Sequence, residues 1–195
     1  MDALFARFGP LIAKHAKTPN VEIEMRLGRR AGAGFDTNVG KVSFTKAFNA
    51  LSAYQGWEEK KHSKHAIYYF DGGKRLQIDE ASDEEVGVVK KRLAVEDFVL
   101  EKRPLDVRLG ISTETPFVFD GQTANEEKTK ERWSFVRKNL SIDLTILKGD
   151  PNDKDAEDDC SYQIELEILD PGKTQEELVL KNLLNKVFDI LDTLN

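Results

Sequence analysis

Two short segments set carboxylates at alternate positions among branched apolar residues. "VEIEMRLG" (21–28) carries Glu22 and Glu24 between Val21, Ile23 and Met25, and "YQIELEIL" (162–169) carries Glu165 and Glu167 between Ile164, Leu166 and Ile168. Alternate residues of a strand share a face, so each pair would stand together on one polar face. The same parity rule gathers bases elsewhere. Arg75, Gln77 and Asp79 oppose Leu76 and Ile78. Lys90 and Arg92 oppose Val89, Lys91, Leu93 and Val95, and Lys128, Lys130 and Arg132 oppose Trp133 and Phe135. Asp106, Arg108, Ser112 and Glu114 oppose Val107, Leu109 and Ile111, while Asp143 and Thr145 oppose Ile142, Leu144 and Ile146.

These polar faces are almost purely ionic and sorted by sign, with acids on the first and last strands and bases on the middle ones. On a sheet face open to water such sorting has no purpose and brings like-charge repulsion. A closed sheet changes the argument, because its first and last strands become neighbours. Glu22, Glu24, Glu165 and Glu167 could then converge, which is unfavourable unless a cation binds. All-oxygen ligation suits Mg²⁺ or Mn²⁺. The bases would form a separate patch suited to an anion of several charges, such as a phosphate chain.

The elements that must position these groups are legible from periodicity. Period-two runs from "HAIYYF" and "KRLQID", joined by Asp71-Gly72-Gly73, through "SYQIELEIL" give about eight to ten strands with short turns. Three segments have helical spacing: 3–16, one or two short helices broken at Gly9-Pro10; 43–54; and 174–194, where Thr174 and Glu177 suggest a capping box and Leu180, Leu183, Leu184, Val187, Leu191 and Leu194 make an apolar stripe. "AGAGFDTNVGK" (31–41) lacks the lysine spacing of a P-loop and reads as a flexible connection, and "KGDPNDKDAEDD" (148–159) as an acidic surface loop. The expectation is a mainly β, α+β fold: a closed antiparallel eight-stranded barrel, inside out relative to an ordinary small barrel. Its charged face lines a lumen and its apolar face is covered by external helices.

Composition is consistent with a single domain spanning 1–195. The chain is 39% hydrophobic and 33% charged, a globular rather than a disordered balance, and its net charge of −6 argues against a broad basic nucleic-acid surface without excluding a positive cleft. No run of about 18 apolar residues suggests a membrane span. The N-terminus lacks signal-peptide features, and the single Cys160 excludes an internal disulfide framework, so an intracellular, non-secreted protein is expected.

The ordered set "VEIEMRLG", "RLQID", "VVKKR", "DVRLGISTE", "KTKERWSF…IDLT" and "YQIELEIL" resembles the triphosphate tunnel metalloenzymes. More narrowly it resembles the metal-dependent RNA triphosphatases of fungal and large-DNA-virus type. The resemblance runs from Val21 to Leu169. It implies Glu22, Glu24 and Glu167 as ligands of the divalent cation and Glu165 as holding a water. It further implies Arg75, Lys90, Lys128, Lys130 and Arg132 as the phosphate grip, Asp106 and Glu114 as acids that brace those bases and orient the nucleophilic water, and Asp143 as a supporting acid. Relatives often carry three acids on the last strand, where this chain begins with Gln163. Arg26, where the thiamine-triphosphate branch favours lysine, sides with the RNA branch.

The activity implied is removal of the γ-phosphate from triphosphate-ended RNA in mRNA capping, with side activity on NTPs. A separate guanylyltransferase would act next, in the nucleus or cytoplasm. Alternatives are a tripolyphosphatase or thiamine triphosphatase of the same fold, and a non-catalytic polyanion-binding barrel, against which four carboxylates argue. Arg26, Arg92 and Arg108 face inward by parity with no decided role. His15, His62 and His65 read as surface or helix-cap residues, Lys91 and Lys102 as solvent charges, and Trp133 and Phe135 as packing under a helix. "EEKKHSKH" (58–65) reads as a solvated loop.

Overall fold

A computed structural model describes residues 2–149, 160–174 and 176–194. The strands are β1 (Val21–Ala31), β2 (Gly34–Asp36), β3 (Glu59–Tyr69), β4 (Lys74–Asp79), β5 (Glu85–Phe98), β6 (Asp106–Pro116), β7 (Glu126–Arg137), β8 (Leu140–Lys148) and β9 (Cys160–Ile168). The helices are α1 (Asp2–His15), α2 (Gly40–Ala53) and α3 (Glu177–Thr193). The sheet order is β2-β1-β6-β5-β4-β3-β7-β8-β9, and β1 also pairs with β9. Setting aside the short β2, eight strands therefore close into an antiparallel barrel, as alternation predicts. "EEKKHSKH" is not a loop: most of it is the start of β3.

The barrel turns its apolar face outward. Ile23, Met25, Leu27, Val107, Leu109, Ile111, Ile142, Leu144, Ile164, Leu166 and Ile168 are buried in one cluster with Leu4, Phe8 and Ile12 of α1, Phe44, Ala47 and Leu51 of α2, and Leu180, Leu184, Val187, Ile190 and Leu191 of α3. Each such side chain contributes about 1.5–3 kcal/mol on burial, which is why the helices cover that face and leave the ionic face to the lumen. Trp133 and Phe135 lie under α2 as expected: Phe44 and Phe48 meet the Trp133 ring edge-on at 6.0 and 5.6 Å, and Phe48 meets Phe135 at 6.4 Å.

Local detail departs from the sequence expectation in four further places. The 3–16 segment is a single helix as far as His15, α1, with Pro10 inside it. The 31–41 segment is no simple connection: it contains β2, which folds back on β1 with Arg30 opposite Phe35, and the first turn of α2. The Thr174–Glu177 capping box does not form. Thr174 belongs to a 3₁₀ turn and donates its Oγ1 hydrogen to Pro171 O at 2.6 Å, so Glu176 takes the cap position without a side-chain bond. Finally, a β-bulge between Arg92 and Ala94 shifts the register of β5 against β6. One extra residue flips every later side chain. Val95 and Asp97 therefore join Lys90 and Arg92 on the lumen face, opposite Gly110 and Arg108. The loop expected over 148–159 lies almost wholly outside the described residues.

Candidate active site

Strand register places the predicted acids and bases on a common inner face. Glu24 of β1 is paired directly with Glu167 of β9, and Arg26 with Glu165. On the other side of β1, Glu22 stands opposite Ser112 of β6, and Glu114 of β6 stands opposite Lys90 of β5. Arg132 of β7 lies opposite Thr145 of β8, whose neighbour on the same face, Asp143, pairs with Glu165.

Two ionic networks result. In the first, the Lys90 ammonium donates to Glu22 and lies 3.5 Å from Glu114 Oε1 and 3.6 Å from Glu24 Oε1. Arg75 donates to Glu114, and Ser112 Oγ donates to Glu22 at 2.9 Å. In the second, Arg26 contacts Glu24 and Glu165, each at 2.9 Å, and Arg132 contacts Glu165 at 2.7 Å and Asp143 at 3.0 Å while donating to Thr145 Oγ1 at 3.1 Å. Ser141 Oγ donates to Asp143 at 2.6 Å. Acids and bases are therefore interleaved rather than held on separate walls. The sorting by sign along the sequence is undone by the strand order, which lets β5 and β7 reach across one strand to the acids of β1 and β9.

The balance of these networks sets the charges. Burial pushes the Glu165 carboxyl up, but Arg26, Arg132, Lys130 and Lys90 outweigh it and bring it to about 2. Burial, with Glu22 and Asp143 nearby, raises Glu167 to about 7, against the pull of Arg132. Glu24 is raised by burial and by Glu165. For Lys130, burial and then Arg132 lower the ammonium to about 8; it donates to the neutral Gln77 Oε1 at 3.3 Å.

A divalent cation is tested against this donor set. Among the described residues no three Asp, Glu, His or Cys side chains stand together as a ligand cluster, and Lys90 and Arg26 contact the carboxylates of Glu22 and Glu24. The chemistry nevertheless fits. Glu22, Glu24 and Glu167 are all hard oxygen donors, two of them cross-strand neighbours, and burial, with Glu22 nearby, raises the Glu167 carboxyl to about 7. A cation would relieve the repulsion among these carboxylates.

The remaining predicted residues are placed as follows. Lys128 lies on the lumen face at the start of β7, 2.8 Å from Glu126 and over the Tyr69 ring. Asp106 is not brought to the bases. Its two oxygens accept from the backbone N–H of Leu100 and Arg30, each at 3.0 Å, tying the β5–β6 turn to β1. Arg108 is held bidentately by Asp97 at 2.6 and 2.9 Å and stacks on Phe35 at 4.7 Å, while Arg92 is exposed. Sequence reasoning missed Asp97, hidden by the bulge, and His65, which is on the lumen face rather than the surface, opposite Lys130 and Asp79. His62 is exposed as expected and stacks on Trp133 at 4.8 Å.

The inside-out barrel with an ionic lumen defines a triphosphate-tunnel fold, and solved structures agree. The chain is similar to the S. pombe Pct1 RNA triphosphatase, with TM-score 0.82 and 16% identity over 94% of this chain and 90% of that one. It is also similar to the Mimivirus capping enzyme triphosphatase, with TM-score 0.66 and 15% identity over 98% and 97%. No curated protein matches the chain in sequence. The family described as "mRNA capping enzyme, beta chain" matches residues 35–181, about three quarters of the chain. The chain belongs to this family, and it is an RNA 5'-triphosphatase of mRNA capping. The family is one of metal-dependent triphosphatases.

Proposed function

We propose that the lumen itself carries the reaction: RNA with a 5'-triphosphate end and water yield RNA with a diphosphate end and inorganic phosphate. The water oxygen bonds to the γ-phosphorus as the bridge to the β-phosphate breaks. Arg75, Lys90, Lys128, Lys130 and Arg132 bind the phosphate oxygens and offset the charge that moves to the leaving group. Glu114, which Arg75 and Lys90 both contact, orients the attacking water. Glu165 is ionised throughout and bonded to two arginines, so it fixes Arg26 and Arg132 in place rather than carrying a proton. Asp106 acts further out, through the backbone of the β5–β6 turn. Glu22, Glu24 and Glu167 would hold Mg²⁺ or Mn²⁺, which supplies further positive charge to the γ-phosphate.

The observation that carries this reading is the pairing of Glu24 with Glu167 on the inner face, with Lys90 3.6 Å from Glu24 and the charge of Arg132 acting on Glu167. Free NTPs present the same triphosphate and would be cleaved more slowly. The whole chain, 1–195, acts as one catalytic domain, and a separate guanylyltransferase would use the diphosphate end in the nucleus or cytoplasm. No helix among the described residues is long and apolar enough to cross a membrane. The Pct1 protein is known in complex with the Spt5 CTD, and a comparable tail is a reasonable partner here. A panel of triphosphate-ended RNA, tripolyphosphate and thiamine triphosphate tests the choice. Fastest phosphate release from RNA supports it; a preference for tripolyphosphate or thiamine triphosphate would move the chain to the other branch.

A further inference from the structure

Beside the bases assigned to the phosphates sits a histidine with an unfilled hydrogen-bonding position. His65 lies on the lumen face of β3, directly opposite Lys130 on one side and Asp79 on the other. Its Nε2 is 3.5 Å from Asp79 Oδ2, whereas its Nδ1 is buried with no hydrogen-bond partner. A buried ring nitrogen of a structural histidine normally has a partner. Next to it, the buried Lys130 ammonium donates to the neutral Gln77 Oε1 at 3.3 Å. Arg132, the adjacent base on β7, is already committed to Glu165 and Asp143. Lys130, His65 and Gln77 thus stand together on one stretch of the lumen face.

We propose that His65 is a further substrate-binding residue, donating from Nδ1 to an oxygen of the terminal phosphate that Lys130 holds. The proposal rests on the triphosphatase reading above. The groups facing the imidazole are Lys130 and Arg132 from β7 and Asp79 and Glu80 from β4 and its turn. Burial and then Lys130 hold the ring below its ordinary value, so it is neutral before the substrate arrives. A phosphate dianion beside Lys130 reverses that field. The ring takes a proton from water, and both nitrogens then carry hydrogens, Nε2–H toward Asp79 and Nδ1–H toward the phosphate. Asparagine places a donor where Nδ1 stands and glutamine where Nε2 stands, which separates the two positions.

The test titrates tripolyphosphate into wild type, His65→Asn and His65→Gln, each shown to be folded, in buffers of different ionisation enthalpy. Steady-state kinetics on triphosphate-ended RNA run in parallel. Losing one hydrogen bond to a charged group should weaken binding and raise KM about tenfold or more in His65→Gln, with kcat little changed. His65→Asn should stay within about threefold of wild type, the conservative replacement restoring the donor. Wild type should take up a proton on binding that neither variant takes up. Unchanged affinity in His65→Gln, or proton uptake equal in all three proteins, would overturn the assignment. Wild type that binds tripolyphosphate but releases no phosphate from RNA would count against the functional reading instead, and the titration would still decide the role of His65.

Discussion

Single residues in this lumen are placed for charge rather than for stability. Lys130 is the clearest case. Burial lowers its ammonium to about 8, so below that pH the fold carries the cost of a desolvated cation that the unfolded chain does not carry. The cost is complete below about 8 and fades as pH rises toward the ordinary lysine value, where both states are neutral. Replacing Lys130 with Met removes the charge and keeps the volume. It should stabilise the protein by about 2–3 kcal/mol at neutral pH, measured by urea unfolding, and abolish phosphate release. In the wild type KM should climb as pH passes about 8 and Lys130 loses its charge. The acids Glu22, Glu24, Glu165 and Glu167 and the bases Arg75, Lys90, Lys130 and Arg132 were all legible in the sequence, because parity alone decides the face on which each stands. Which acid meets which base was not. Arg132 reaches Glu165 only because β7, β8 and β9 lie side by side, a fact of topology rather than of spacing.

At the scale of elements, the strands were readable and their irregularities were not. Nothing in "KKRLAVED" marks Leu93 as the extra residue of a bulge, since apolar residues follow one another there on either reading. The bulge is nonetheless what brings Asp97 to Arg108. The β1–β2 hairpin is a second such element. Phe35 returns over Gly28 and stacks on Arg108, and a Cβ at Gly28 would lie 2.2 Å from Asp36 O and 2.5 Å from the Phe35 ring. Gly28→Ala should therefore displace the hairpin and cost about 1–3 kcal/mol, the range for overpacking. Equal denaturation midpoints for the variant and wild type would show that β2 is not packed there. The helix stripes were legible from their spacing, but the start of α3 was not. The Thr174 hydroxyl has a nearer carbonyl acceptor at Pro171, and that local bond replaces the cap.

For the molecule as a whole, the informative feature is that the sheet closes. Closure explains why apolar side chains face outward under three helices, and why a chain of net charge −6 can offer a polyanion a cluster of buried bases. An open sheet with the same strands would have left Glu24 and Glu167 at opposite edges; the β1–β9 pairing sets them against each other. On the proposed function, these inward carboxylates make phosphate release depend on a divalent cation. The direct measurement is γ-phosphate release from triphosphate-ended RNA by wild type, Glu24→Ala and Glu167→Ala, with Mg²⁺ or Mn²⁺ and with chelator, each variant checked for folding. Wild type should release phosphate only when metal is present, and either folded variant should lose about a hundredfold or more. Equal release with chelator, or full activity in Glu24→Ala, would contradict the proposal.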